Sequence, residues 1–245
     1  MDLRVEWLGH MAYREAWLRQ RAAHAARDAG VAPDTLLLVE HPAVLTLGRH
    51  ARAEHVIAAD DELTRRGMEV IRVERGGEVT YHGPGQLVAY PIVRLHERGL
   101  LLRPFVRALE AALVATCAAH GVRAARRDGH PGCWCDADGP EARKIGALGL
   151  RVERGVSYHG IALNISTRLA DFGLIEPCGM AGLDVTSIAR ELGWQGSRAE
   201  PSTDGVREAG EWFADAFRRR LAEAVSATVE RPAVTGAPAG LAPVL

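Results

Sequence analysis

Short apolar runs separated by glycine, proline or polar turns dominate the chain, and this pattern predicts β-strands. Two long runs, residues 144–152 and 156–165, are joined near Arg154-Gly155 and predict an antiparallel hairpin. The other predicted strands are residues 35–40, 44–47, 69–73, 87–92 and 122–126. Apolar residues at helical spacing predict helices over residues 13–27, 60–66, 100–120, 184–192 and 204–225.

The longer connections are predicted as loops, namely residues 75–86, 128–141 and 167–182. Strands interspersed with a few helices predict an α+β fold with one mixed, mostly antiparallel sheet packed with helices. We expect a single domain over residues 1–230. The Pro/Ala/Gly-rich residues 231–245 are predicted to be a disordered tail.

Composition narrows the class of protein. The 245 residues are 47% hydrophobic and 25% charged, which is typical of a soluble globular protein. A net charge of −1 argues against a nucleic-acid partner, and no apolar run reaches membrane-spanning length. The N-terminus leads into no apolar signal segment, so we expect a cytoplasmic protein. Four cysteines in a chain of this length do not indicate a disulfide scaffold.

One lysine stands out. Of the 30 basic residues, 29 are arginine and a single one, Lys144, is lysine. Arginine stays protonated, whereas a desolvated lysine can lose its proton. Lys144 is therefore a candidate for chemistry that arginine cannot perform, although chance survival of one lysine explains the count equally well.

A glycine-rich stretch lies between two predicted strands. It reads Arg75-Gly76-Gly77-Glu78-Val79-Thr80-Tyr81-His82-Gly83-Pro84-Gly85-Gln86. Glycine allows a backbone to approach a ligand closely, and the polar side chains between the glycines can bind one. We predict a substrate-cradling loop at a sheet edge.

Cys178 lies in a Pro-Cys-Gly turn that a substrate can reach. Only a few per cent of free cysteine is thiolate at neutral pH, so a nucleophilic role needs a cation or base nearby. Lys144 is the candidate partner, and such a pair can carry out a double-displacement acyl transfer. The alternative is an inert loop cysteine with a surface lysine at a strand end.

Several other polar residues have both a functional and a purely structural interpretation. His82 and His159 each lie in a Tyr-His-Gly segment and can position a substrate or donate to an oxyanion, unless they only make structural hydrogen bonds. His130, Cys133 and Cys135 form a His-x-x-Cys-x-Cys cluster without an obvious fourth zinc ligand, so packing is the favoured interpretation. The chain has no glycine-rich nucleotide-binding motif of either common type.

The glycine-rich stretch with its continuation resembles the signature of lipoate-biosynthesis octanoyltransferases, which are octanoyl-[acyl carrier protein]:protein N-octanoyltransferases. The matching segments are Arg75 to Val88 with Tyr90-Pro91-Ile92; Glu40-His41-Pro42 through Leu47-Gly48; Lys144-Ile145-Gly146-Ala147 through Arg151-Val152; His159-Gly160-Ile161-Ala162-Leu163-Asn164; and Pro177-Cys178-Gly179 with Val185-Thr186-Ser187. The resemblance covers residues 40–192. Cys133 and Cys135 depart from it, because the family usually has apolar residues there.

The resemblance implies a fold like that of biotin and lipoate protein ligases. It implies that octanoyl-acyl carrier protein gives its acyl group to Cys178 as a thioester, with Lys144 as partner. A lysine on a lipoyl domain then attacks, in 2-oxoacid dehydrogenases or the glycine cleavage H protein. It implies no ATP, metal or other cofactor. The implied or predicted substrate contacts are Arg75, Gly76, Gly77, Glu78, Val79, Thr80, Tyr81, His82, Ala147, Leu148, Gly149, His159, Gly160, Ile161 and Ala162.

Two rival functions remain at this point. An ATP-dependent lipoate or biotin protein ligase of the same fold also uses a lysine on the equivalent strand, so Lys144 alone does not exclude it. A non-catalytic carrier-binding module would need neither Cys178 nor Lys144.

Overall fold

The computed structural model describes residues 3–176, 184–194 and 202–229. Cys178 and the predicted tail, residues 231–245, lie outside the described residues. The strands are β1 (Arg4–His10), β2 (Thr35–Glu40), β3 (Val44–Leu47), β4 (Glu69–Arg72), β5 (Val79–His82), β6 (Gln86–Ile92), β7 (Ala125–Arg127), β8 (His130–Cys135), β9 (Arg143–Glu153) and β10 (Val156–Asn164). The α-helices are α1 (Tyr13–Asp28), α2 (Asp60–Arg65), α3 (Leu102–Ala119), α4 (Ile188–Glu191) and α5 (Thr203–Val229).

Seven strands form the main sheet in the order β1-β2-β6-β10-β9-β8-β7. Only the β1–β2 pair of this sheet is parallel, so the predicted mixed, mostly antiparallel sheet is confirmed. A second sheet of three strands, β4-β3-β5, contains residues 79–82 of the glycine-rich stretch. The sequence pattern predicted one sheet, and the second is an addition.

Both faces of the main sheet are covered, which explains why its central strands are continuously apolar. Helices α3 and α5 cover one face and pack there against Leu36, Leu38 and Leu87. Helix α1 covers the other face, where Leu37 and Val88 are buried.

The β9–β10 hairpin forms as predicted. Its two-residue turn, Arg154-Gly155, has φ angles of 50° and 78°, the left-handed values that a tight hairpin of this twist requires. Gly160 on β10 permits close approach to β6, because an added Cβ would lie 2.0 Å from the Ala89 carbonyl oxygen. Strand β10 can therefore pair closely with β6, and the hairpin forms one wall of a pocket.

Several predictions about local structure are wrong in part. The strand predicted at residues 122–126 begins only at Ala125, as β7. The loop predicted at 75–86 contains β5, and the loop predicted at 128–141 contains β8, whose Cys133 and Cys135 enter the core. The helix predicted at 184–192 is reduced to α4. Its first residues instead pair with Lys144, since the Lys144 N–H donates to the Asp184 carbonyl and the Thr186 N–H donates to the Lys144 carbonyl, both at 2.9 Å.

Strand β1 was not predicted. Val5 and Trp7 alternate with polar residues and pack against the main core, so period-two alternation was the available signal. Over the described residues, no helix is both long and apolar enough to cross a membrane.

Candidate active site

A pocket that is partly open to solvent lies where α1, β5, β6 and the β9–β10 hairpin meet. The predicted contacts that line it are Arg75, Gly77, Glu78, Val79, Thr80, His82, Lys144, Ala147, Leu148, Gly149, His159, Gly160, Ile161 and Ala162. Three segments that are distant in sequence thus converge, as the motif resemblance implied.

Two predicted contacts lie elsewhere, and three lining residues were missed. Tyr81 points away from the pocket because side chains alternate along β5, and its hydroxyl donates to Asp171 Oδ2 at 3.0 Å. Gly76 lines a neighbouring groove instead. The missed lining residues are Tyr13, Val88 and Tyr90. Val88 and Tyr90 lie in a quoted motif but carried no assigned role, and Tyr13 lies on α1, outside every motif.

Lys144 lies near the start of β9, where the pocket meets the groove. Its ammonium is 5.0 Å from the centroid of the Trp134 ring, a distance at which the ring face attracts a cation. Its backbone makes the hydrogen bonds to Asp184 and Thr186 described above. Glu176, on the other side of residues 177–183, donates its N–H to the His55 carbonyl at 2.8 Å. The described residues on both sides of the Cys178 segment are therefore fixed by the fold.

Arg75 anchors the glycine-rich stretch beneath the pocket. Its buried guanidinium donates to the Thr46 carbonyl at 2.7 Å and to Thr46 Oγ1 at 2.9 Å. The Gly76 N–H donates to the Leu150 carbonyl on β9 at 2.9 Å. These bonds fix the stretch to both sheets, so the loop is a rigid wall of the site.

His82 belongs to a buried hydrogen-bonded chain that leads to the Lys144 strand. His82 Nδ1 lies 2.8 Å from Gln86 Oε1, and Gln86 Nε2 donates to Asn164 Oδ1 at 2.9 Å. Asn164 Nδ2 then donates to the Thr186 carbonyl at 2.9 Å. The Thr186 N–H in turn donates to the Lys144 carbonyl on β9. The chain of hydrogen bonds therefore connects His82 on β5 to Lys144.

This chain fixes which nitrogen of His82 carries the proton. A backbone carbonyl only accepts, so Thr186 orients the Asn164 amide with its nitrogen toward that carbonyl. The Asn164 oxygen therefore faces Gln86 Nε2, which leaves the Gln86 oxygen to accept from His82 Nδ1. His82 Nε2 is then an acceptor, and the predicted donation to an oxyanion does not fit the neutral ring. Burial, with His41 nearby, lowers the pKa of His82 to about 3.

We expect nitrogen-15 NMR of selectively labelled protein to show His82 as the neutral Nδ1–H tautomer from pH 8 to pH 5. Gln86→Leu should mix the two tautomers, because it removes the Nδ1 acceptor. Thr64→Val, at an exposed residue of α2 whose hydroxyl donates only within its helix, is the control that should leave the signals unchanged. A protonated Nε2 in the wild type would contradict the assignment.

His159 adopts a left-handed backbone, with φ of 54°, in the middle of a sheet strand. Its side chain is 1% exposed. Burial lowers the pKa of the imidazole to about 4, against the opposing effect of Glu74, whose Oε2 lies 3.4 Å from Nε2. A non-glycine residue in this conformation is strained, and such strain concentrates at functional sites.

The remaining cysteines are core residues. Cys117, predicted as such, is confirmed, and Cys133 and Cys135 are buried beside it. A hydrogen bond with Cys117 together with burial raises the pKa of Cys133, and burial raises the pKa of Cys135 to about 12. Both thiols therefore stay protonated, which supports the packing interpretation. Among the described residues, no group of three or more metal-ligating side chains is placed to hold a metal ion.

Comparisons with known proteins agree with this geometry. The model of the lipoyl protein ligase A/B catalytic domain matches residues 12–210. A protein of Chloroflexus aurantiacus named octanoyltransferase is 45% identical over 213 residues, which cover 86% of this chain and 94% of that protein. One of the same name from Mycolicibacterium gilvum is 44% identical over 227 residues, covering 92% and 90%.

Solved structures show the same fold at low identity. A bipartite lipoate protein ligase from Thermoplasma acidophilum has a TM-score of 0.62 at 15% identity, covering 94% of this chain and 93% of its own. A lipoate-protein ligase A with bound ATP has a TM-score of 0.61 at 16% identity, covering 94% and 96%. The expected lipoate-ligase-like α+β fold is confirmed. With the family model and the relatives above, the chain belongs to the octanoyltransferase family within the lipoyl protein ligase A/B catalytic domain.

Proposed function

We propose that this protein transfers an octanoyl group from octanoyl-acyl carrier protein to a lysine ε-amine of a lipoyl domain. The thiolate of Cys178 attacks the carbonyl carbon of the incoming thioester, and the carrier thiolate leaves. The acceptor amine then attacks the Cys178 thioester, loses a proton and forms the amide as the Cys178 thiolate leaves. Relatives named octanoyltransferase, at about 45% identity, support this assignment.

The observation that carries the proposal is the composition of the pocket between Lys144 and His159. The middle of its lining contains Val88, Ala147 and Ala162 with the glycines Gly149 and Gly160, none of which has a polar side chain. Burying methylene groups is worth about 0.8 kcal/mol each, so eight carbons contribute roughly 6 kcal/mol without any charged contact. The pocket therefore suits a saturated acyl chain better than a nucleotide or a sugar.

A second opening supports a reaction with a macromolecular donor or acceptor. An open groove of about 450 Å³ runs from Lys144 along the outer part of β9 toward the start of α3. It shares Gly77, Glu78, Lys144, Leu148 and Gly149 with the pocket. The acyl chain can thus occupy the pocket while the leaving thiol and its carrier approach Lys144 through the groove.

The main alternative is an ATP-dependent lipoate ligase, because those enzymes share the fold. An ATP-dependent enzyme must first activate a free acid, whereas a thioester is already activated. The alternative of a non-catalytic carrier-binding module predicts binding without transfer. ATP dependence and product formation therefore separate the three functions.

The test is incubation with octanoyl-carrier protein and an apo lipoyl domain without ATP, followed by intact-mass analysis. We expect one octanoyl group on the lipoyl domain and none on a domain whose target lysine is replaced by arginine. Transfer that requires free octanoate and ATP would overturn the proposal in favour of a ligase. Binding of the carrier protein without any transfer would favour the module.

A further inference from the structure

An irregularity in the pairing of β8 with β9 sets the position of Lys144. Cys133 pairs with Gly146, and the next residue of β8, Trp134, pairs with Lys144. Strand β9 therefore carries one extra residue, Ile145, at this point, which makes a β-bulge. Because side chains alternate along a strand, one extra residue turns the side chain before it to the other side of the sheet.

The neighbours of Lys144 show the effect of this bulge. Ile145 is buried in the main core, and a Cβ added at Gly146 would lie 3.3 Å from the core residue Leu113. In a regular strand two successive residues would face opposite sides of the sheet. Here both face the core, and the side chain of Lys144 meets Trp134 instead of entering it.

Gly132 leaves room for the lysine stem. A Cβ added there would lie 2.9 Å from Lys144 Cε and would also clash with the Gly146 carbonyl oxygen. Gly132 has a φ of 124°, a conformation that residues with a side chain rarely adopt. Its N–H donates to Oε1 of the buried Glu110 at 3.1 Å, which fixes the backbone beside the stem.

The ring that receives the ammonium is itself held in place. Trp134 is buried, and its Nε1–H donates to the His130 carbonyl at 3.0 Å. The guanidinium of Arg127 lies 5.4 Å from the centroid of the same ring. Lys144 therefore meets an aromatic face whose orientation its neighbours determine.

An aromatic face suits an amine that has to exchange a proton. The negative face of the ring attracts the ammonium, but tryptophan has no hydrogen-bond acceptor. A carboxylate in the same place would accept an N–H of the amine and hold its proton. Trp134 thus orients the amine without competing for the proton that the proposed reaction moves.

We propose that Trp134 is a positioning residue for Lys144, and that the bulge at Ile145 brings the two side chains together. This inference rests on the proposed acyl transfer, in which Lys144 is the partner of Cys178. Trp134 lines neither the pocket nor the groove, so it acts on the reaction through Lys144.

NMR tests the contact without any turnover. Protein labelled with carbon-13 only in lysine gives one ε-methylene signal, because Lys144 is the only lysine of the chain. Protons near the face of an aromatic ring resonate upfield, so we expect this signal upfield of its position in the denatured protein. Trp134→Leu should remove the shift, and Trp134→Phe, which keeps a ring, should retain part of it.

Steady-state kinetics test the role in transfer. We expect Trp134→Leu to lower kcat roughly tenfold, as the loss of a desolvated cation–ring contact predicts, with KM for octanoyl-carrier protein changed less than about twofold. Trp134→Phe should lose less than about threefold. The control is Phe213→Leu, which truncates a buried aromatic side chain of the main core outside the pocket and groove, and should keep both the lysine signal and kcat.

A wild-type lysine signal without the upfield shift would overturn the contact, whether or not any variant folds. An unchanged kcat in folded Trp134→Leu, or an equal loss of kcat in Phe213→Leu, would overturn the positioning role while the proposed function stands. A wild type with the upfield signal that transfers no octanoyl group would overturn the proposed function, and with it the role of Trp134 in transfer.

Discussion

Cys178→Ala is expected to abolish octanoyl transfer, with a loss of roughly 10⁴-fold or more in kcat. The proposed route passes through a thioester on this thiol, and alanine offers no atom to carry the acyl group. Wild-type protein mixed with octanoyl-carrier protein alone should gain one octanoyl group, located by peptide mass spectrometry on Cys178. Cys178→Ala should gain none.

The matched control for this experiment is Cys117→Ala. Cys117 is a buried thiol of α3 in the main core, and it does not line the pocket. We expect it to lose some stability, as is usual when a buried side chain is truncated, while it keeps the acyl adduct. An active Cys178→Ala protein, or an adduct on another cysteine, would contradict the mechanism.

Lys144→Arg is expected to lose most activity, roughly 10²-fold in kcat, although the positive charge is kept. Arginine does not give up its proton, so it cannot exchange one with the thiol or with the acceptor amine. The guanidinium is also larger, and the lysine stem already lies close to Gly132, where an added Cβ would come within 2.9 Å of the Lys144 side chain. Single-turnover rates for each half-reaction would show which step fails.

A second variant, Lys144→Gln, separates the two possible roles of this lysine. If proton exchange is essential, both variants fail to a similar degree. If Lys144 serves only as a fixed cation, Lys144→Arg keeps activity and Lys144→Gln alone loses it. Thermal unfolding of both variants checks that the loss is not one of folding.

Much of the site was predictable because its residues lie in short motifs with strong local signals. In the glycine-rich stretch and in the Arg154-Gly155 turn of the hairpin, the backbone conformation requires glycine. This requirement can be recognised from the sequence. Lys144 was found by its rarity and by the motif that contains it. Cys178 and its turn remain predictions, since they lie outside the described residues.

The features that sequence analysis missed arise only when distant segments come together in the folded protein. Tyr13 lines the pocket from a helix outside every motif, and nothing in its local pattern signals this. Tyr81 was assigned to the site with its neighbours, but strand alternation turns it away. Gln86 and Asn164 are far apart in sequence, and only the β6–β10 register makes them partners.

The three histidines around the pocket also bear on how the protein responds to acid. Burial lowers the pKa of His41 and His159 to about 4 and that of His82 to about 3, whereas each titrates near 6.5 in an unfolded chain. Between about pH 6.5 and pH 4 the unfolded chain binds more protons at these rings than the folded protein does. Stability therefore falls as the pH drops through this window. The burial of these rings thus makes unfolding a proton-uptake reaction, one that denaturant titrations at pH 7 and pH 5 would measure directly.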